Sequence, residues 1–488
     1  MLPYLLLSLE LLAMRPVPVG TQLHVRLTTT VGSYASKVGS PVSAVLIAPV
    51  SIEGETVLPE GSTLSGSVKA VRRVGLGIVR ETATLGLEFN QVTLPDGESF
   101  PISVRVEEVE NGREYVAQDG SIRGVRSTSS LSYRASGYIR MALSWDIHAG
   151  LAFWAIKTLI VQVPEPEIYY PAGVELTLAL TEPILASAHQ SGGGPRSLTD
   201  EERSELEPLI AALPYRTYTP AKNRPSDLIN MMFIGSREEI ASAFAAAGWI
   251  AARPASLRSE LKGIQAVAEH RGFVSAPMSS LLLNQTEADM SWQKSLNDIA
   301  KRHHIRVWKQ DSTWNRQEIW AAAATRDVDL AFLRPGQTFT HKIESAVDHE
   351  RDKIAHDLVF TTCVDVMDHW ERPEVPHLTR NGTGDEMSTD ANLTVIRFND
   401  CTSPRKTDPV ADSAVPRPHG NGFQRIIRRQ ILSARNDLLR DNFYWRGYEG
   451  VRWVVTAIRQ RRREVYGSED PTSLAWAPFS RERMGWIW

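Results

Sequence analysis

The chain has 488 residues, 54 of them Lys or Arg and 57 Asp or Glu, for a net charge of −3. That length suggests about three domains, the near-neutral balance argues against a nucleic-acid-coating protein, and 42 % apolar residues mark a globular chain. Two cysteines exclude a disulfide-dense scaffold or a four-cysteine zinc site, and no charge-free apolar run reaches the roughly 20 residues of a membrane span.

Residues 1–15 hold an apolar run, Leu5 to Leu12, broken by Ser8 and Glu10. Its length suits the core of a signal peptide. No Lys or Arg precedes it, so it reads as a degenerate export signal, or else as an apolar segment packed on the β domain that begins at residue 16.

Residues 16–185 read as an all-β barrel or sandwich. Leu23, Val25 and Leu27 alternate with His24, Arg26 and Thr28, the period of a strand with one buried face. Pro18-Val19-Gly20, Pro59-Glu60-Gly61 and Pro171-Ala172-Gly173 each precede a strand. Pro fixes φ and Gly frees it, so these are one strand-entry device used three times. The third copy is expected to complete the barrel begun by the first, with 116–163 as an insertion. That insertion is polar over Gln118–Arg134 and apolar over Met141–Val163, where Asp146, His148 and Lys157 interrupt it. It is expected to cap the barrel or to touch a membrane.

Pro18–Leu27, Val38–Val42, Val57–Ser62 and Tyr170–Leu180 resemble the β-barrel of TrbI-type proteins, channel components of conjugation and type IV secretion. The resemblance implies a barrel and an envelope assembly.

Residues 186–213 read as a linker and a helix. Gly192-Gly193-Gly194-Pro195 forms a joint, Ser197, Thr199 and Asp200 offer N-caps, and Glu201 and Glu202 fill the first turn. Residues 214–400 then read as an α+β domain. A buried strand is expected over 228–234, and Ser236 should cap a helix through Ala247 that Gly248 ends. A second helix is expected over 256–270. Strands are expected at 281–284, 288–294, 303–309, 317–324 and 327–333, then a helix at 345–360 and a strand at 393–398.

Asp227–Asn230, Gly235-Ser236-Arg237, Ala247-Gly248-Trp249, Arg302–Trp308, Ala324–Asp327, Thr340–Ile343 and Asp348–Asp352 resemble the LssY C-terminal domain family, in the same order. The resemblance covers about 214–400 and implies an envelope context without an activity.

Seven of the twelve histidines lie between 303 and 377, among several aspartates. Imidazole and carboxylate together suit a divalent metal or general acid–base chemistry. On the strand at 303, His304, Arg306 and Trp308 share one face, while His303, Ile305 and Val307 look like core. On the helix at 345–360, Arg351 falls on the apolar stripe of Val347, Ile354 and Leu358. A buried guanidinium needs an acid, and Asp327 or Asp329 is the expected partner, with His341 in the same network. Asp348, Asp352 and His356 share one flank. The candidate polar site is therefore His304, Arg306, Asp327, Asp329, His341, Asp348, Arg351, Asp352 and His356. Cys363 and Cys401 are a candidate disulfide in an exported protein.

Residues 401–422 read as a linker and 423–488 as a basic helical tail. Phe423–Tyr466 carries eleven Arg, no Lys and four acidic residues, a local +7 that leaves −10 elsewhere. Ile427, Ile431, Ala434 and Leu438 form one helical stripe; Tyr448, Val451, Val455 and Ile458 form another. The tail is expected to dock on anionic lipid or on the acidic remainder of the chain, the second being favoured; nucleic acid fits the overall charge poorly. The sequence thus reads as a multidomain bacterial cell-envelope protein of binding or assembly type, periplasmic or membrane-associated. Its partner would be a membrane surface or an envelope protein. The other reading is a metal-assisted phosphate-ester hydrolase using the His/Asp cluster.

Overall fold

The computed structural model describes residues 14–76, 80–126, 165–187, 194–220, 222–252, 276–332, 339–407 and 422–441, with a few scattered positions besides. Most of the expected export signal, of the 116–163 insertion, of the 256–270 helix and of the tail beyond 441 lies outside the described residues.

The first half is a nearly closed antiparallel barrel. Its strands run Val104–Val109, Glu175–Leu180, Gln22–Leu27, Pro41–Leu46, Thr63–Arg72, Thr84–Thr93, Ile122–Arg123 and Tyr115–Val116, and the last lies against the first. Glu175–Leu180 sits between Gln22–Leu27 and Val104–Val109, so the segment after the insertion closes the sheet opened at residue 22. The three Pro-x-Gly turns act alike. Gly20, Gly61 and Gly173 have φ of 87°, 84° and 97°, where a Cβ would be strained. Their N–H groups donate to the carbonyls of Leu180, Leu46 and Leu27 at 2.9, 2.8 and 2.8 Å, hooking each turn onto a neighbouring strand. Leu23, Val25 and Leu27 are buried inside, as their alternation requires. Arg26, on the outer face, is buried as well, because the second domain covers it.

That domain is a mixed sheet between helices. The order is Ile250–Ala251, Met290–Lys294, Arg302–Trp314, Gln317–Phe332, Met231–Ile234, Asn392–Phe398 and Val364–Glu371, with one parallel pair, Met231–Ile234 beside Asn392–Phe398. Helix α1 (Asp200–Ala211) covers one face; α2 (Arg237–Ala246) and α3 (Val347–Phe360) cover the other. The caps follow the sequence: Thr199 with Glu202, and Ser236 with Glu239, each close a reciprocal capping box. Period-two alternation divides the core, with Met231, Phe233, Ala322 and Ala324 toward α2 and α3, and Met232, Ile234, Ala321 and Ala323 toward α1.

Several elements differ from expectation. The single strand at 228–234 is two, Pro225–Leu228 and Met231–Ile234, in different sheets. Between them Asn230 spends its side chain on the Ala324 backbone, donating to O at 3.1 Å and accepting from N at 3.0 Å. The strands at 317–324 and 327–333 are one, Gln317–Phe332, with a register shift between Asp327 and Asp329 against Phe339–Ile343. Val364–Glu371 is an additional strand; it lies at the sheet edge and carries too many polar residues to show in the apolar pattern.

Among the described residues the C-terminal segment contributes α4 (Gly422–Asp441), which lies on the barrel. Leu432 packs into the barrel's apolar cluster, and Arg428 reaches Glu165 and Glu167 at 3.2 and 3.1 Å. The expected stripe of Ile427 and Ile431 faces away. Burial pushes the Glu167 carboxyl up, and hydrogen bonds from Ser33 and the Val74 N–H, with the Arg428 cation, offset it.

Candidate functional site

The outer face of the barrel meets α3 and the strand Arg302–Trp314 in a seam of buried charge. Glu175 and Asp357 lie at its centre, one from each domain. Arg26 Nη2 bridges them at 2.7 and 3.1 Å, Lys294 Nζ at 2.6 and 3.0 Å, and Lys353 Nζ at 2.8 and 2.7 Å. The Trp249 indole N–H donates to Asp357 at 2.9 Å. Burial opposes ionisation of Glu175, but Lys294, Lys353 and Arg26 outweigh it and hold the carboxyl well below the usual range. Asp357 is lowered by the same cations against the same burial.

A second knot lies beside it. His303 Nδ1 meets Glu350 of α3 at 2.6 Å, and its Nε2 faces Glu110 of the barrel at 3.4 Å. Arg326 binds Glu108 and Glu110 at 2.7 and 3.0 Å. Burial alone would discharge His303, yet Glu350 and Glu110 push it up to about 9. Glu110 is held down to about 2: burial is outweighed by His303 and Arg326. His303, Glu110, Glu175 and Lys294 also line a small cavity between the domains, with Gly173, Gly248 and Ser295.

The nine sequence-predicted residues do not form one site. His304 and His341 meet Asp327 at 3.0 and 3.4 Å, and Arg302 Nε joins at 2.6 Å. Arg306 lies alongside but pairs with Asp227 at 3.2 Å. Burial opposes the Asp327 charge, but His304 and Arg302 hold the carboxyl far below the usual range. Asp329, past the bulge, is exposed. Asp348 and Asp352 bind Arg351 at 3.2 and 2.8 Å, and Asp390 binds it at 2.7 Å. His356 turns toward the barrel, where burial lowers its pKa and His24 adds to the effect.

Arg351 is buried, but its partner is Asp390 rather than Asp327. The sheet lies between them: Arg351 rides on α3, whereas Asp327 points to the α1 side with Arg302 and His304. Asp390 and Asp352 are over two-fifths exposed, so water screens the group. Arg351→Ala should therefore cost about 2 kcal/mol in denaturant titration. Asp390→Ala should reproduce part of that loss; if it costs nothing, the pairing is wrong.

Sequence reasoning missed the seam. The strand phase puts His303 in the core, which is correct, but it is a charged core residue. A signal was present on α3, where Glu350, Lys353 and Asp357 recur at i, i+3 and i+7. Among the described residues no trio of His, Cys, Asp or Glu converges as a metal site. The imidazoles and carboxylates are spent on each other and on arginines.

Cys363 and Cys401 are joined by a disulfide. They flank the antiparallel pair Val364–Glu371 and Asn392–Phe398 at the end where Val364 faces Phe398.

No curated protein matches the chain. A solved structure, ComB10 of the Com type IV secretion system of Helicobacter pylori, aligns at 10 % identity and a TM-score of 0.21, covering 36 % of this chain and 94 % of its own. Residues 211–393 match the family model of the LssY C-terminus.

Proposed function

We propose that the chain is a binding or assembly protein of the bacterial cell envelope, working on the oxidising side of the membrane. The disulfide between the chain's two cysteines carries this reading. Such bonds persist in the periplasm and are rare in reducing cytosol. The seam supports the binding half of the proposal. Its cations and acids neutralise one another, leaving a fixed joint between two domains rather than an open cleft with a poised nucleophile. No helix among the described residues is long and apolar enough to cross a membrane.

Thiol blocking in intact cells tests the compartment. A maleimide–polymer reagent should leave the denatured chain unshifted until a reductant is added, then shift it twice. Reaction of both thiols without reductant would defeat the proposal. In purified protein, reduction should lower stability by roughly 3–4 kcal/mol, read as a shift in the urea midpoint.

A further inference from the structure

Half of the large apolar side chains exposed among the described residues fall between Phe423 and Ile458. On α4, Phe423, Ile427 and Ile431 are 70 %, 43 % and 40 % exposed and recur every four residues on one face; Ala434 continues the row and is exposed too. The opposite face holds the helix to the barrel through Leu432, Arg428 and the Arg435 bond to the Gly75 carbonyl at 2.6 Å. So the stripe is not a poorly docked core face. The helix is anchored with its apolar row outward. Val451, Val454, Val455 and Ile458 follow at helical spacing and are also exposed, at 63 %, 46 %, 41 % and 52 %.

We propose that this segment is a docking face for an anionic lipid surface. Charge selects the occupant. Phe423–Tyr466 holds eleven Arg against four acidic residues, while the remainder of the chain is acidic. Two of those arginines, Arg428 and Arg435, are used on the barrel. An apolar row that enters the headgroup boundary beside guanidinium groups that bind phosphate is how an interfacial helix holds. Nucleic acid would use the arginines and leave the outward apolar row unexplained.

The inference names a partner surface for the envelope reading and rests on it only for which membrane is meant. Thiol blocking and lipid binding can therefore fail separately. The test is flotation of the full chain with vesicles of phosphatidylglycerol and phosphatidylethanolamine, against phosphatidylcholine alone, at low and high salt. Binding to the anionic vesicles should be roughly tenfold tighter or more and should weaken with salt. Ile427→Asp with Ile431→Asp should lose about tenfold or more, and so should Val451→Asp with Val455→Asp. All four sites are exposed, and an unchanged circular dichroism spectrum would show that the fold is intact. Failure of the wild type to float, or equal binding by both double variants, overturns the inference. So does a dimer, seen by light scattering without vesicle binding, that the same substitutions dissociate.

Discussion

Asp357→Ala should cost the folded chain about 3–5 kcal/mol, the range for removing one partner from a buried ion cluster. Asp357 is fully buried and is touched by Arg26, Lys294 and Lys353, with the Trp249 indole on its second oxygen. Without it, three cations share one carboxylate, Glu175, in a dry seam. Glu175→Ala should behave alike from the barrel side. Lys294→Met should cost less than either. Burial lowers the Lys294 pKa despite its two acids, so it is the cation the seam holds least well, and its loss leaves two cations against two anions. The urea midpoint of the full chain reads all three. If Asp357→Ala unfolds like wild type, the domains do not meet through this cluster.

The barrel was legible because its signals are local. A Pro-x-Gly turn states its backbone conformation in three letters, and Leu23, Val25 and Leu27 state which face is buried. Helix caps are local in the same way, and Thr199 and Ser236 sit where the sequence places them. The polar networks were not legible, because pairing across a sheet or between domains depends on which side each residue points to. The long hairpin of Arg302–Trp314 and Gln317–Phe332 shows it. Arg302, His304 and Asp327 share one face, and His303 and Arg326 share the other. A cluster that looks single in sequence is thus split by the sheet, with one half serving the α1 side and the other the barrel. Arg26 and Glu175 lie far from α3 in the chain, so nothing local marks them as its partners.

The split gives the two faces different work. On the α1 side Asp327 gathers Arg302, His304 and His341 from its own domain, which fixes the bulge between Asp327 and Asp329 in place. On the other side the charges reach across to the barrel: Arg26 to Asp357, Lys294 and Lys353 to Glu175, Arg326 to Glu108 and Glu110. Each domain has its own apolar cluster, Leu296 of the second domain alone reaching into the barrel's among the described residues, while the joint between them is mostly ionic. An ionic joint specifies one docking geometry, since a slipped register would leave buried charges unpaired.

The same joint should respond to pH, with opposite signs at the two ends of the scale. His303 is raised from 6.5 to about 9 by Glu350 and Glu110 against burial. A raised imidazole contributes stability that is fully present below the unfolded pKa and is lost as pH rises through the folded one. The window is therefore about pH 6.5 to 9, and the loss is about 3 kcal/mol at most. Glu110 is lowered from 4.5 to about 2, so its contribution is present above 4.5 and fades as pH falls toward 2. The two describe one coupled pair and should not be added. Other charged groups face this knot: Glu108 from the barrel, Arg326 from the hairpin, Glu344 after the strand Phe339–Ile343, Glu350 and Lys353 from α3, and His24 across the seam. The measurement that isolates His303 is a difference. Wild type and His303→Gln are unfolded in urea at steps from pH 6 to 10. Gln keeps a hydrogen bond to Glu350 but cannot carry charge, so the variant should start less stable and show a flatter alkaline limb. The curves should converge above about pH 9, where wild-type His303 has lost its proton. Parallel curves across that range would mean that His303 is neutral throughout, and that Glu110 and Glu350 are held by Arg326 alone.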